Sequence, residues 1–150
     1  MKIYRSYSSA ETQKLGKFFA RKTLRSGLRK RGAAIFALSG ELGSGKTTFV
    51  QGFLHGLGVK RGGTSPTFIL MRRHALRGKR FKNAYHIDAY RIKNPGEFLK
   101  LDLKEILEDS KNIVLIEWAE KLRRFLPRGA VQLRFRHDGR EENRSIWFNN

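Results

Sequence analysis

Cysteine is absent from this chain, which excludes disulfides, zinc ribbons and thiolate nucleophiles. No apolar run approaches the roughly 18 residues of a membrane span. Acid is scarce: 13 Asp and Glu stand against 32 Lys and Arg in 150 residues, a formal net charge of +19. No internal repeat, low-complexity tract or linker interrupts the sequence. What is present is core material. Hydrophobic residues make up 39% and include 11 Phe, too many for a disordered tail. The length supports one domain, residues 1–150, with a full hydrophobic core. With no secretory h-region, a soluble, strongly basic, cytoplasmic protein is expected.

The charge is unevenly spread. Residues 1–35 hold ten basic residues and one acid, residues 71–100 hold nine and two, and residues 101–150 hold ten and nine. The first helical region and the segment Arg72–Lys82 therefore carry most of the imbalance. Such a surface suits a polyanionic neighbour or is simply solvated, and it speaks to association rather than to fold. The basic, acid-poor start also has a transit peptide's composition. Ser8 and Glu11, however, have capping-box spacing, with Leu15, Phe18 and Phe19 as an apolar face behind them.

Lys2–Tyr7 alternates like an edge strand, and Ser9 to about Ser26 reads as an amphipathic helix. Ala33–Leu38 and Ile113–Ile116 are continuous apolar runs, as expected of strands buried on both faces. Lys46–Leu57 has helical periodicity. Thr67–Leu76 and Arg80–Tyr90 form a hairpin about Arg77-Gly78-Lys79, and Val131–Phe135 and Ser145–Phe148 form a second about Asp138-Gly139. Asn94-Pro95-Gly96-Glu97 starts a helix that breaks at Asp102, and Lys121–Leu126 is a short helix. The alternation predicts a three-layer α/β fold, its central sheet mainly parallel with antiparallel hairpins.

Gly40-Glu41-Leu42-Gly43-Ser44-Gly45-Lys46-Thr47 fits the phosphate-binding pattern of Gly, four residues, Gly, Lys and Ser/Thr. Glycines let successive N–H groups point into one concavity, and the following helix offers its positive end to the phosphates. Lys46 is placed to reach the β- and γ-phosphates of ATP, and Thr47 to ligate Mg2+. Glu41 to Gly45 and Thr48 complete the nucleotide contacts. The motif follows a buried strand and opens a helix, which is the context it requires.

A P-loop ATPase also needs an acid on a neighbouring strand, and Glu117 ends the run Asn112–Ile116 where that acid belongs. A strand-terminal surface Glu is the plainer alternative. In His86-Ile87-Asp88-Ala89-Tyr90, the residues His86, Asp88 and Tyr90 share a face if the strand continues. Asp88 is then placed to position an attacking water or a Mg2+-bound water, with a surface strand of alternating polarity as the plainer alternative, whereas His86 alone reads better as a structural or surface residue. Thr64–Phe68 lies where P-loop proteins sense the γ-phosphate, and a plain turn fits the same residues equally well. Trp118 packs on nucleotide or on core.

Four segments together resemble the TsaE (YjeE-type) family of P-loop ATPases in bacterial tRNA threonylcarbamoyladenosine biosynthesis. They are Gly40–Thr48, Ser65-Pro66-Thr67-Phe68, His86-x-Asp88-x-Tyr90-Arg91 and Ile116-Glu117-Trp118-x-Glu120. The likeness runs from about Ser8 to Pro127, and more loosely through the last hairpin. The resemblance implies Mg2+-dependent ATP hydrolysis, slow alone, in a complex with TsaB-like and TsaD-like proteins that modify adenosine-37 of tRNA. It implies Lys46 and Thr47 at phosphate and Mg2+, Glu117 as the second Mg2+ ligand, Asp88 in hydrolysis, Trp118 near the nucleotide, and Ser8 near the base. Glu41 and Ser44 replace Asp and Ala of that loop, and Ala119 replaces a Pro. The basic charge is not a family hallmark. It raises a tRNA contact through the first helix and the 72–82 hairpin. A small-molecule P-loop kinase and a nucleic-acid-binding P-loop module are the alternatives.

Overall fold

The computed structural model describes residues 2–26, 31–60, 70–78, 80–94, 96, 102–139 and 143–149. The pattern of apolar residues accounts for their arrangement. Strand β2 (Ala34–Gly40) and strand β5 (Asn112–Glu117) are the two continuous apolar runs, and they pair in parallel at the centre of the sheet. A strand apolar on both faces needs cover on both, and both clusters of buried side chains form around these two. One cluster joins Phe36, Leu38 and Leu115 to Phe49 and Phe53 of helix α2 (Lys46–Gly56) and Phe19 of helix α1 (Ser9–Ser26). The other joins Ile35, Ala37, Val114 and Ile116 to Leu103 and Ile106 of helix α3 (Leu103–Glu108) and to Ala119 and Leu122.

Strands β1 (Lys2–Ser6), β3 (Met71–Ala75), β4 (Asn83–Asp88), β6 (Val131–His137) and β7 (Arg144–Asn149) complete a seven-stranded sheet of order β1-β7-β6-β2-β5-β4-β3. The core β6-β2-β5-β4 is parallel. The edges are antiparallel: β3 on β4, β7 on β6, and β1 on β7. Two of the three antiparallel ladders are the expected hairpins, β3 on β4 and β6 on β7; the third, β1 on β7, makes the sheet more mixed than expected.

Helix α1 starts as the Ser8/Glu11 spacing predicts. Ser8 Oγ accepts the Glu11 N–H at 3.1 Å, and Glu11 Oε2 accepts the N–H of Tyr7 at 2.8 Å, one residue before the usual partner. Its apolar face is narrower than predicted: Phe19 is 3% exposed but Phe18 is 53% exposed. Helices α1 and α2 meet backbone to backbone. A Cβ on Gly16 would stand 2.2 Å from the Phe49 carbonyl oxygen, and one on Gly52 would stand 2.1 Å from that of Gln13.

After β5 the chain turns sooner than expected. Trp118 takes the left-handed region (φ 57°), and a 3-10 turn covers Ala119–Leu122 in place of the helix expected over Lys121–Leu126. The break at Asp102 is present as a left-handed residue (φ 50°) before α3. The expected helix start at Pro95 and Glu97 and the loop Thr64–Phe68 lie outside the described residues.

Candidate nucleotide and cation site

The parallel strands β2, β5 and β4 end side by side. Register pairs Leu38 with Glu117, and Glu117 with Asp88. The glycine loop leaves the end of β2 and enters α2 at Gly45, whose φ of 98° favours a residue without Cβ. That φ is one reason for glycine here. The other is Arg144, whose Cδ and Nε lie 2.7 Å from where a Gly45 Cβ would stand.

Lys46 is 4% exposed. Its ammonium donates to the carbonyls of Gly40 and Glu41, each at 2.7 Å, and lies 4.0 Å from the Trp118 ring centroid. Burial lowers its pKa from the ordinary lysine value, against the opposing pull of Glu117, Glu120, Asp88 and Glu41. Its third donor makes only a long contact, 3.5 Å to the Ser44 hydroxyl, and is the one a phosphate oxygen could take over. Leu42 at the loop tip is 74% exposed and Glu41 and Gly43 are exposed, whereas Ser44 is buried and donates to the Glu41 carbonyl at 2.7 Å. Leu42, Gly43, Gly45, Lys46, Thr47, Thr48, Glu117 and Trp118 share one cavity of about 130 Å³. This brings together all but Ser8, Glu41, Ser44 and Asp88 of the expected site residues.

Glu117 is 2% exposed, so its carboxylate must be satisfied locally. Thr47 Oγ1 donates to Oε2 at 2.7 Å, and His86 Nε2 meets Oε1 at 2.8 Å. His86 is itself 2% exposed. From the sequence, His86 reads as a structural or surface residue. The structure makes it the group that fixes the Glu117 carboxylate plane. The alternation in His86-x-Asp88 signals only that those two share a face; the register of β4 on β5 is what brings Glu117 to it. Arg144 carried no such signal, because its approach to Gly45 depends on the pairing of β7 with β6.

Asp88 is half-buried beside Glu117 and accepts the Tyr90 N–H at 3.0 Å. Tyr90 lies past the end of β4, so it does not share the strand face with His86 and Asp88 as the alternation predicted. Its ring instead packs on Trp118, with centroids 4.9 Å apart. Trp118 thus meets both the cavity and the core of the α3 layer. Ser8 caps α1, two residues beyond Ser6, the register partner of Arg144. Its hydrogen bonds are local, to Ser6, Glu11 and Thr12, and it does not line the cavity.

A hydroxyl and a carboxylate oxygen 2.7 Å apart, beside a phosphate cradle, are hard donors of the type Mg2+ takes. Mg2+ is typically held by one or two carboxylates together with substrate phosphates. The residues present fit that group without a larger cluster of acids.

Comparison with known proteins gives the family. A sequence profile of the family described as "Threonylcarbamoyl adenosine biosynthesis protein TsaE" matches residues 6–146. The tRNA threonylcarbamoyladenosine biosynthesis protein TsaE of Bacillus subtilis is 36% identical over 114 residues, which is 76% of this chain and 68% of that protein. The protein of the same name from Haemophilus influenzae is 35% identical over 118 residues, 79% of this chain and 71% of its own length. A crystal structure of YdiB from Bacillus subtilis superposes with a TM-score of 0.68 at 27% identity, covering 98% of this chain and 83% of that one. The chain belongs to the TsaE family.

Proposed function

We propose that this chain is a Mg2+-dependent ATPase of the P-loop NTPase fold, acting in the cytoplasm as one domain. It supports tRNA threonylcarbamoyladenosine formation beside TsaB-like and TsaD-like proteins. The observation that carries the reading is the Thr47–Glu117–His86 chain of hydrogen bonds at the mouth of the glycine loop. It holds two oxygen donors where a nucleotide-bound cation would sit.

The loop N–H groups and Lys46 bind the phosphates, and Thr47 and Glu117 hold the cation. Bound there, Mg2+ offsets charge that develops on the phosphate oxygens. Asp88, at the end of the adjacent strand, orients water for in-line attack on the γ-phosphate. Trp118 and Ser8 border the nucleotide. The surface of α1 and the 72–82 hairpin serve tRNA docking.

An ATPase assay with and without the two partner proteins tests the reading. Slow turnover that the partners accelerate is expected, and ATP consumption that needs a small-molecule acceptor would indicate a kinase instead. Lys46→Ala should weaken ATP binding about a hundredfold, the scale of a lost charged hydrogen bond. Asp88→Ala should leave binding intact and slow turnover at least about a hundredfold. Normal hydrolysis by that variant removes Asp88 from the mechanism.

A further inference from the structure

The two layers that cover the sheet are unequal. Helix α1 covers the wing β6-β7-β1 on one face, through Phe19 against Tyr4 and Phe148. On the opposite face, α3 and the 3-10 turn reach only β2, β5 and β4. Most of the wing residues that point there are open, although Ser145 is buried. Gln132, Arg134 and Arg136 of β6, Asn149 of β7 and Arg5 of β1 are exposed, and Ile3 is 55% exposed.

Register arranges them in rows. Gln132 faces Asn149, Arg134 faces Trp147 and then Ile3, and Arg136 faces Ser145 and then Arg5. Trp147, half-buried, stands in the middle row and joins Arg134, Arg136, Gln132, Asn149 and Ser39 around a concavity of about 470 Å³. No residue of these three strands is acidic. The nearby Asp138 is held by the Ser145 hydroxyl at the hairpin end.

We infer that this bare face is a binding surface for an RNA strand with unpaired bases, separate from the nucleotide site. A sheet face that carries an aromatic ring, flanking guanidinium groups and side-chain amides has the chemistry for it. The ring stacks a base, the arginines meet phosphates, and the amides reach base edges. Charge complementarity selects a polyanion, and the indole among the arginines selects one with open bases. The arginines lie on the side of the wing away from α1, so this surface is distinct from the basic helix.

The test uses the nucleotide-free protein, so it is independent of ATPase activity. Trp118→Phe leaves Trp147 as the only indole, since the chain has 2 tryptophans. Titration with a short single-stranded RNA should then quench its fluorescence saturably, and a duplex of the same composition should not. The double variant Arg134→Gln/Arg136→Gln should weaken single-stranded RNA binding about tenfold and lower the salt dependence by between one and two in slope. Lys104→Gln/Lys111→Gln removes the same charge elsewhere and should change affinity less than about twofold. Equal losses in both double variants would mean non-specific attraction and overturn the proposal. Unchanged fluorescence at saturation would also overturn it, as would retained RNA affinity with loss of binding to an acidic protein.

Discussion

Strands β5 and β6 flank β2 on either side, and both run parallel to it. Yet β5 (Asn-Ile-Val-Leu-Ile-Glu) is buried at all six positions, whereas β6 (Val-Gln-Leu-Arg-Phe-Arg-His) alternates buried and exposed. The difference is the second covering layer, which among the described residues is present over β5 and absent over β6. It also decides what a polar residue can do on each strand. Glu117 ends β5 in the interior, so it must be held by Thr47 and His86, and that constraint makes it a preorganised donor. Arg134 and Arg136 project to solvent and are free to meet something outside.

Truncation should show the contrast most strongly. Leu115→Ala on β5 removes a fully buried side chain, and should cost about 3 kcal/mol, lowering Tm by roughly 10 °C in thermal unfolding. His86→Ala comes next. It strips a buried carboxylate of one partner and should cost about 2 kcal/mol. Because His86 orients a donor of the cation site, the Mg2+ concentration for half-maximal ATP hydrolysis should also rise about tenfold. A merely structural His86 would move Tm and leave the Mg2+ requirement alone. Arg134→Gln on β6 should change stability by less than about 0.5 kcal/mol. A large loss there would mean that the wing's second face is covered after all.

The same contrast explains what was legible in the sequence. The glycine loop, its Lys46 and Thr47, and the apolar runs of β2 and β5 are local patterns, and each lies where the pattern put it. Glu117 was legible as the carboxylate closing an apolar run. The role of His86 was not, because it depends on the register of β4 against β5, across 31 residues of sequence. Phe18 misled for a related reason: helical periodicity gives a stripe, but its width depends on the neighbour, and at α1 the contact is narrow. The turn after Glu117 came early because Trp118 adopts a left-handed conformation that no local rule assigns to tryptophan.

The close backbone contact between α1 and α2 has a mechanical consequence. Between most helices lies a layer of side chains that absorbs small displacements by changing rotamers. At Gly16 and Gly52 there is no such layer, because a Cβ at either position would collide with carbonyl oxygen. Close-packed backbone transmits strain instead of absorbing it. The helix that begins at the phosphate loop and the one capped by Ser8 therefore behave as a single stiff body, and a tilt of one is a tilt of the other.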